Sequence, residues 1–207
     1  MPYPLNHIKE TRARIVAAAR KLFNRFGFDA VSIGDIMREA GLTHGGFYRH
    51  FASKSDLYAE VLDCFFTNPE WACRWKGMEE FDETAEMAPQ IIRAYLSNAH
   101  LDDVENACPM VALPSDVARA NQNARRAYQA AFEGMVAILE QGASNRSSAL
   151  AIAALCVGGM VIARASDDRA LGSELRDAAM RVALNLGGWE KTARAFEHAT
   201  AASEGLA

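Results

Sequence analysis

Between Val31 and Leu57 the sequence leaves little freedom in how the chain can fold. Ser32 with Asp35 three residues on is a capping-box signature, with Asp in place of the commoner Glu. It opens a helix whose apolar face is Ile33, Ile36, Met37 and Ala40, and Gly41 ends it. Thr43 then caps a second short helix, His44 to His50, and Ser53 with Asp56 repeats the capping signature ahead of a longer one. Two short helices joined by a tight glycine turn form a helix-turn-helix, with Leu42 as the apolar plug at the bend. The second helix of such a unit enters the DNA major groove with its N-terminal residues on base edges.

The adjacent glycines Gly45 and Gly46 point the same way. Each costs a helix about 0.8–1.0 kcal/mol relative to alanine. Two near the start of a seven-residue helix call for close approach to DNA, or else reflect tight packing inside the protein or a fraying helix. Groups suited to phosphate lie around them. Thr43 donates from the turn, Tyr48 and His50 from the helix, and Lys54 from the start of the next helix, beside its free N–H groups. Arg38 and Arg49 add long-range charge, while Phe47 and Phe51, at i and i+4, are expected in the core.

The net charge of −4 speaks against a nucleic-acid binder until it is divided. Residues 1–56 hold 9 Lys/Arg and 5 acids, a net of +4, and residues 57–207 hold 13 and 21, a net of −8. Two halves with different partners are expected: a helix-turn-helix DNA-binding domain over 1–55 and a helical domain over 56–207.

The remaining pattern is all-α. Ile15, Ala18, Ala19, Leu22, Phe23 and Phe26 mark one helical face, stopped by Gly27. Further helices are predicted over Asp56–Phe66, about Pro89–Leu101, from Cys108 and Pro109 with a kink or restart at Pro114, and over Arg119–Gln141, Ser148–Arg164 and Gly172–Leu186. The segment Asn68–Glu86 is aromatic, acidic and unpatterned. The most apolar run, Ala149–Ala163, has 15 residues, short of a membrane span, so no membrane partner is expected. Met1–Glu10 lacks an apolar signal region, and Cys64, Cys73, Cys108 and Cys156 show no zinc spacing. A cytoplasmic protein with reduced thiols and no cofactor is expected.

The segment Arg14–Leu62, above all the block GLTHGGFYRHFASK from Gly41 to Lys54, resembles the DNA-binding domain of TetR/AcrR-family bacterial transcriptional regulators. The pattern YLSNAHLDD from Tyr95, followed by ACPMVAL from Ala107, resembles one branch of that family, with Ala107 in place of its usual Gly. The resemblance implies a three-helix DNA-binding domain, a linking helix, a larger helical ligand-binding and dimerisation domain, and repression as the usual outcome. It assigns phosphate contacts to Thr43, Tyr48, His50 and Lys54, and places His44 and Gly45 near bases.

It also implies dimerisation through Ser148–Arg164 and Gly172–Leu186. The first of these is apolar nearly all round, so a four-helix bundle with a second copy would cover it. A two-fold dimer expects a pseudo-palindromic operator in double-stranded DNA. Phe66, Trp71, Trp75, Met78, Tyr95, Met110, Tyr128 and Phe132 are candidates to line a site for a small, mainly apolar effector. Cys108, before Pro109 at a helix start, is a candidate for an electrophile-sensing thiol, with an inert buried cysteine as the plainer reading. His100, Asp102 and Asp103 read as a solvated polar loop and not as a metal site. An enzyme would need a nucleophile–base pair or metal motif, and the chain has no G-x-S-x-G, HExxH or P-loop. A protein-binding helical adaptor is disfavoured by the basic N-terminal segment and the glycine pair.

Overall fold

A computed structural model describes residues 5–67 and 85–189. Among the described residues every regular element is helical. These are α1 (Leu5–Phe26), α2 (Ile33–Glu39), a 3-10 helix (His44–Arg49), α3 (Lys54–Thr67), α4 (Met87–Tyr95), α5 (Asn98–Asp102), α6 (Pro109–Ala112), α7 (Pro114–Arg119), α8 (Gln122–Glu140), α9 (Arg146–Ala165) and α10 (Arg169–Leu186). The chain groups into two compact units, residues 1–75 with 103–133, and residues 76–102 with 134–207.

In the first unit the sequence signals act locally. Gly27 takes a φ of +80°, and its N–H donates to Phe23 O, closing α1. Both halves of the Ser32–Asp35 capping box form, and Gly41 turns the chain with a φ of +66°. The Asp56 N–H donates to Ser53 Oγ at the start of α3. Ile15, Ala19, Phe23, Ile36, Met37, Phe47, Leu57, Tyr58 and Leu62 make the core, joined by Leu113, Val117 and Ala124. Phe47 and Phe51 are buried. Segment 103–133 is thus built into the same core as the helix-turn-helix.

In the second unit α9 and α10 form a hairpin, and Ile152, Cys156, Met160, Ala179, Ala183 and Leu184 are buried. Ala179 lies 3.1 Å from where a Cβ on Gly159 would sit, so this glycine sets how closely the two helices meet. The buried Arg176 donates to Leu96 O at 2.7 Å and Asn98 Oδ1 at 2.6 Å, tying α10 to the junction of α4 and α5. Trp189 folds back so that a Cβ on Gly187 would fall inside its ring, which fixes glycine there.

Several predicted boundaries move. The stretch Pro89–Leu101 is two helices, because Ser97 donates to Ala94 O and accepts from the His100 N–H, ending one helix and starting the next. The segment from Pro109 is likewise two short helices, restarted at Pro114. Helix α8 begins at Gln122 and not Arg119, because Ala120 is extended and Asn121 Oδ1 accepts the Ala124 N–H. The hairpin helices start earlier than predicted, capped by Asn145 and Asp168. At 20 residues and a mean hydropathy of 1.9, α9 is by length and composition alone sufficient to cross a membrane, which the 15-residue run had understated. Its buried face packs on α10 and α4.

Candidate nucleic-acid interface

The second helix of the helix-turn-helix is wound as a 3-10 helix from His44 to Arg49. Only Phe47 is buried in it, and that ring anchors the segment. Phe47 meets Tyr48 edge-on at 5.3 Å and Phe51 at 5.7 Å. Thr43, His44, Gly45, Tyr48 and Arg49 are exposed, Tyr48 to 63%. Thr43 holds the N-cap position but makes no side-chain capping bond, so its hydroxyl remains available.

The two glycines differ. A Cβ on Gly46 would touch Met37 at 3.5 Å, an ordinary contact, whereas one on Gly45 would meet nothing within 4 Å. Neither has the positive φ that demands glycine. Internal packing therefore does not account for Gly45.

Arg12 on α1 holds the far end of the segment. It makes a two-pronged ion pair with Glu60 on α3 and donates to His50 O. Its guanidinium lies 4.1 Å from the Phe51 ring centre. Arg14 donates to Ala40 O at 2.6 Å, covering the end of α2. His50 is half-buried; burial first, then the Arg12 and Arg49 charges, lower its pKa and favour the neutral ring. A groove of about 330 Å³ lies beside the segment, lined by His7, Ile8, Thr11, Leu42, Thr43, Gly46, Arg49 and His50. His7 and Thr11 escaped the sequence reading because α1 starts well before its first apolar landmark; their i, i+4 spacing was the available signal.

Lys54 corrects an expectation. Its ammonium does not stand beside the free N–H groups of α3. It donates inward to Phe28 O at 2.7 Å and Val31 O at 2.8 Å, 4.2 Å from the Phe28 ring centre. In the free protein it binds the α1–α2 connection to α3.

The candidate effector residues fall into three groups. Trp71, Trp75 and Met78 lie outside the described residues, as does the side chain of Phe66. In the first unit Cys108 and Met110 are each 1% exposed, Phe132 is half-buried, and Tyr128 donates to Met110 O at 3.3 Å. Burial pushes the Tyr128 hydroxyl up to about 12. Tyr95, 2% exposed, belongs to the second unit. Cys64, Cys108 and Cys156 form no disulfide. Burial raises the Cys64 thiol to about 11 and the Cys156 thiol to about 12, so neither is a thiolate at neutral pH.

His100 is not part of a solvated loop. It is fully buried, its Nδ1–H donates to Tyr95 O at 2.7 Å, and burial lowers its pKa to about 3. Asp102 pairs with Arg169.

On the α9–α10 hairpin several uncovered positions are apolar, interspersed on α10 with exposed Arg169, Glu174, Asp177, Arg181 and Asn185. Leu150, Ala151, Ala154 and Ile162 are exposed on α9, as are Leu171, Val182 and Leu186 on α10. Gly158 carries open space above it.

Residues 15–61 match the family model described as bacterial regulatory proteins, tetR family. The HTH-type transcriptional regulator AcrR of Shigella flexneri is 40% identical over 60 residues, 29% of this chain and 28% of that one. An HTH-type transcriptional regulator of Staphylococcus aureus (strain USA300) is 44% identical over 64 residues, 29% of this chain and 35% of that one. The matched segment thus spans about a third or less of these relatives' length. The whole fold resembles that of E. coli NemR in its reduced form, with a TM-score of 0.67, 18% identity, and coverage of 86% of this chain and 96% of that one. A TetR-family regulator from Cytophaga hutchinsonii gives 0.68 at 18% identity, covering 88% and 98%. The multidrug binding protein EbrR, complexed with imidazole, gives 0.60 at 20% identity, covering 87% and 94%.

Proposed function

We propose that the chain, whose residues 15–61 match the tetR family model, is a ligand-responsive repressor of the TetR/AcrR kind that binds a pseudo-palindromic operator as a homodimer. In this reading residues 1–55 read DNA, and residues 56–207 bind the effector and pair the two copies. It acts in the cytoplasm and needs no membrane.

The observation that carries the DNA reading is Gly45. Among the described residues nothing lies within 4 Å of where its Cβ would sit, its backbone does not require glycine, and Thr43, His44, Tyr48 and Arg49 around it are exposed. A glycine retained at a helical cost without internal reason is explained by a close external surface, here a base edge or sugar-phosphate backbone. Thr43, His44, Tyr48 and His50 stand around it with hydroxyl and imidazole groups suited to DNA. Lys54 joins them only if DNA draws its ammonium away from two carbonyls.

The test is Gly45→Ala, measured twice. Operator sites are first selected from random-sequence DNA with the wild-type protein. The variant is expected to bind them at least tenfold more weakly while its unfolding temperature stays the same or rises. Equal affinity would remove the argument.

One feature supports the dimer. The exposed apolar residues of α9 and α10 continue along both helices of the hairpin, and paired hairpins bury them in a four-helix bundle. Recognition segments then sit about 34–36 Å apart or a little more. For the effector, buried Met110 and Tyr128 beside Cys108 favour an apolar or aromatic compound, as does the fold shared with a multidrug binding protein. An electrophile acting at Cys108 is the alternative mode. The Cys108→Ala variant separates them, because an apolar effector still releases DNA from it and a thiol reagent does not.

A further inference from the structure

Phe28 is the most heavily held residue in the connection between α1 and α2. Its N–H donates to Asp116 Oδ2 at 2.7 Å, from α7, 88 residues along the chain. Its carbonyl accepts from Lys54 on α3 at 2.7 Å, and the same ammonium reaches Val31 O. Its ring packs on Phe23 and Tyr58, with centroids at 5.5 and 4.7 Å. Next to it, a Cβ on Gly27 would come within 3.2 Å of Asp116 Oδ2, and Gly27 already has a φ of +80°. The sequence therefore keeps space open for this carboxylate.

We propose that Asp116 and Lys54 are positioning residues that clamp Phe28 from opposite sides. In doing so they set the angle between α1 and α2, and with it the pose of the DNA-reading segment. The inference rests on the DNA-binding function proposed above and adds its control. Asp116 sits one short helix beyond Cys108 and Met110, whose loop is also bonded to α1: Arg20 donates to Asn106 O at 2.6 Å, and Asn24 donates to Glu105 O and Ala107 O. An effector that displaces residues 108–119 withdraws Asp116 from Phe28 and loosens the reading segment directly, without needing α3 to move.

Charge alone predicts the opposite sign. Asp116 is a carboxylate bonded through Phe28 to the basic segment 1–56 and is paired with Arg119 at 2.9 Å. Removing it deletes a negative charge and frees a positive one, which by electrostatics strengthens DNA binding. The clamp predicts weaker binding.

The experiment uses full-length Asp116→Ala and Asp116→Asn, with operator sites selected by the wild type. Without DNA, hydrogen exchange at the Phe28 amide is slow in the wild type and in Asp116→Asn, whose amide oxygen accepts the same bond. It is at least tenfold faster in Asp116→Ala. With DNA, Asp116→Ala binds the operator at least tenfold more weakly, and Asp116→Asn, which keeps the bond but loses the charge, binds at least as tightly as the wild type. Tighter binding by both variants, or equal affinity in all three proteins, overturns the clamp. If the wild type selects no site, the DNA reading fails; the exchange readout still judges the clamp, and equally fast exchange in the wild type and Asp116→Ala overturns it. Asp116→Ser, too short to reach the amide, replaces the alanine variant if that does not fold.

Discussion

The reading segment and the α9–α10 hairpin each leave one face uncovered, and the two faces are chemically opposite. Around His44–Arg49 the open surface carries a hydroxyl, imidazoles, a phenol and a glycine with open space above it. Charged side chains fix it from below, through Arg12, Arg14 and Lys54 bonds to backbone carbonyls. Along α9 and α10 the open surface includes Leu150, Ala151, Ala154, Ile162, Leu171, Val182 and Leu186, with charged residues such as Glu174, Asp177 and Arg181 among them on α10. It is fixed from below by close helix contact at Gly159 and by Arg176. A hydrated, charged partner suits the first, and only another apolar surface suits the second. The difference between the two faces is what the proposed DNA contact and the proposed pairing of two chains each rest on.

The contrast is broken most severely by charging the hairpin. Ile162→Glu with Val182→Glu is expected to weaken self-association by about 10³-fold or more, because central buried apolar contacts carry most of an interface's energy. Sedimentation velocity reads this as a monomer. Operator affinity should fall with it, while the helical circular dichroism signal persists. A variant that remains a dimer would move the pairing surface elsewhere.

Next in size is an acid effect confined to the second unit. His100 is buried neutral with its pKa lowered to about 3, against about 6.5 in an unfolded chain. A lowered histidine pKa means that the unfolded chain binds the proton first. Its contribution is complete above about pH 6.5 and is lost as pH falls toward 3, by a few kcal/mol at most. Urea unfolding across that range should show the decline, and His100→Gln should flatten it. An identical slope in the variant would place the acid sensitivity in other groups.

On the reading face, Gly45→Ala should cost about 1.4 kcal/mol or more of operator binding, the equivalent of tenfold. It should leave folding stability unchanged or raised by up to about 1 kcal/mol. The two signs must differ if the glycine serves DNA. The smallest effect is on a cap. Ser32→Ala removes one side of the α2 capping box and is expected to cost about 1 kcal/mol in thermal unfolding. No loss would mean that packing alone holds α2.

The legible parts of this molecule are those whose causes are local. The capping box at Ser32, the Ser53 cap of α3, stops at Gly27 and Gly41, and the 3.6-residue face from Ile15 to Phe23 act locally and can be read from nearby letters, whereas Phe26, expected on that face, is exposed. Phe47 and Phe51 followed from spacing alone. What escaped depends on backbone acceptors far away in sequence. The carbonyls that turn Lys54 inward belong to Phe28 and Val31, and no side-chain pattern advertises a carbonyl. Asp116 reads as an ordinary first-turn acid, yet its partner is an amide 88 positions earlier. His100 sits beside two aspartates in sequence, and the Ser97 break turns it into the core, away from water. Open space above Gly45 could be judged only once its neighbours were placed.

The 3-10 winding has a consequence for information. Six residues at three per turn stack in columns, His44 over Phe47 and Gly45 over Tyr48, and Phe47 is committed to the core. Few side chains remain to address bases, enough for roughly four base pairs. A four-pair word recurs by chance about every 260 positions, too often to mark one promoter. Two such words at a fixed separation recur only about once in 65,000. In the proposed homodimer the address is therefore written by two short reading segments and the spacing between them, not by one segment alone.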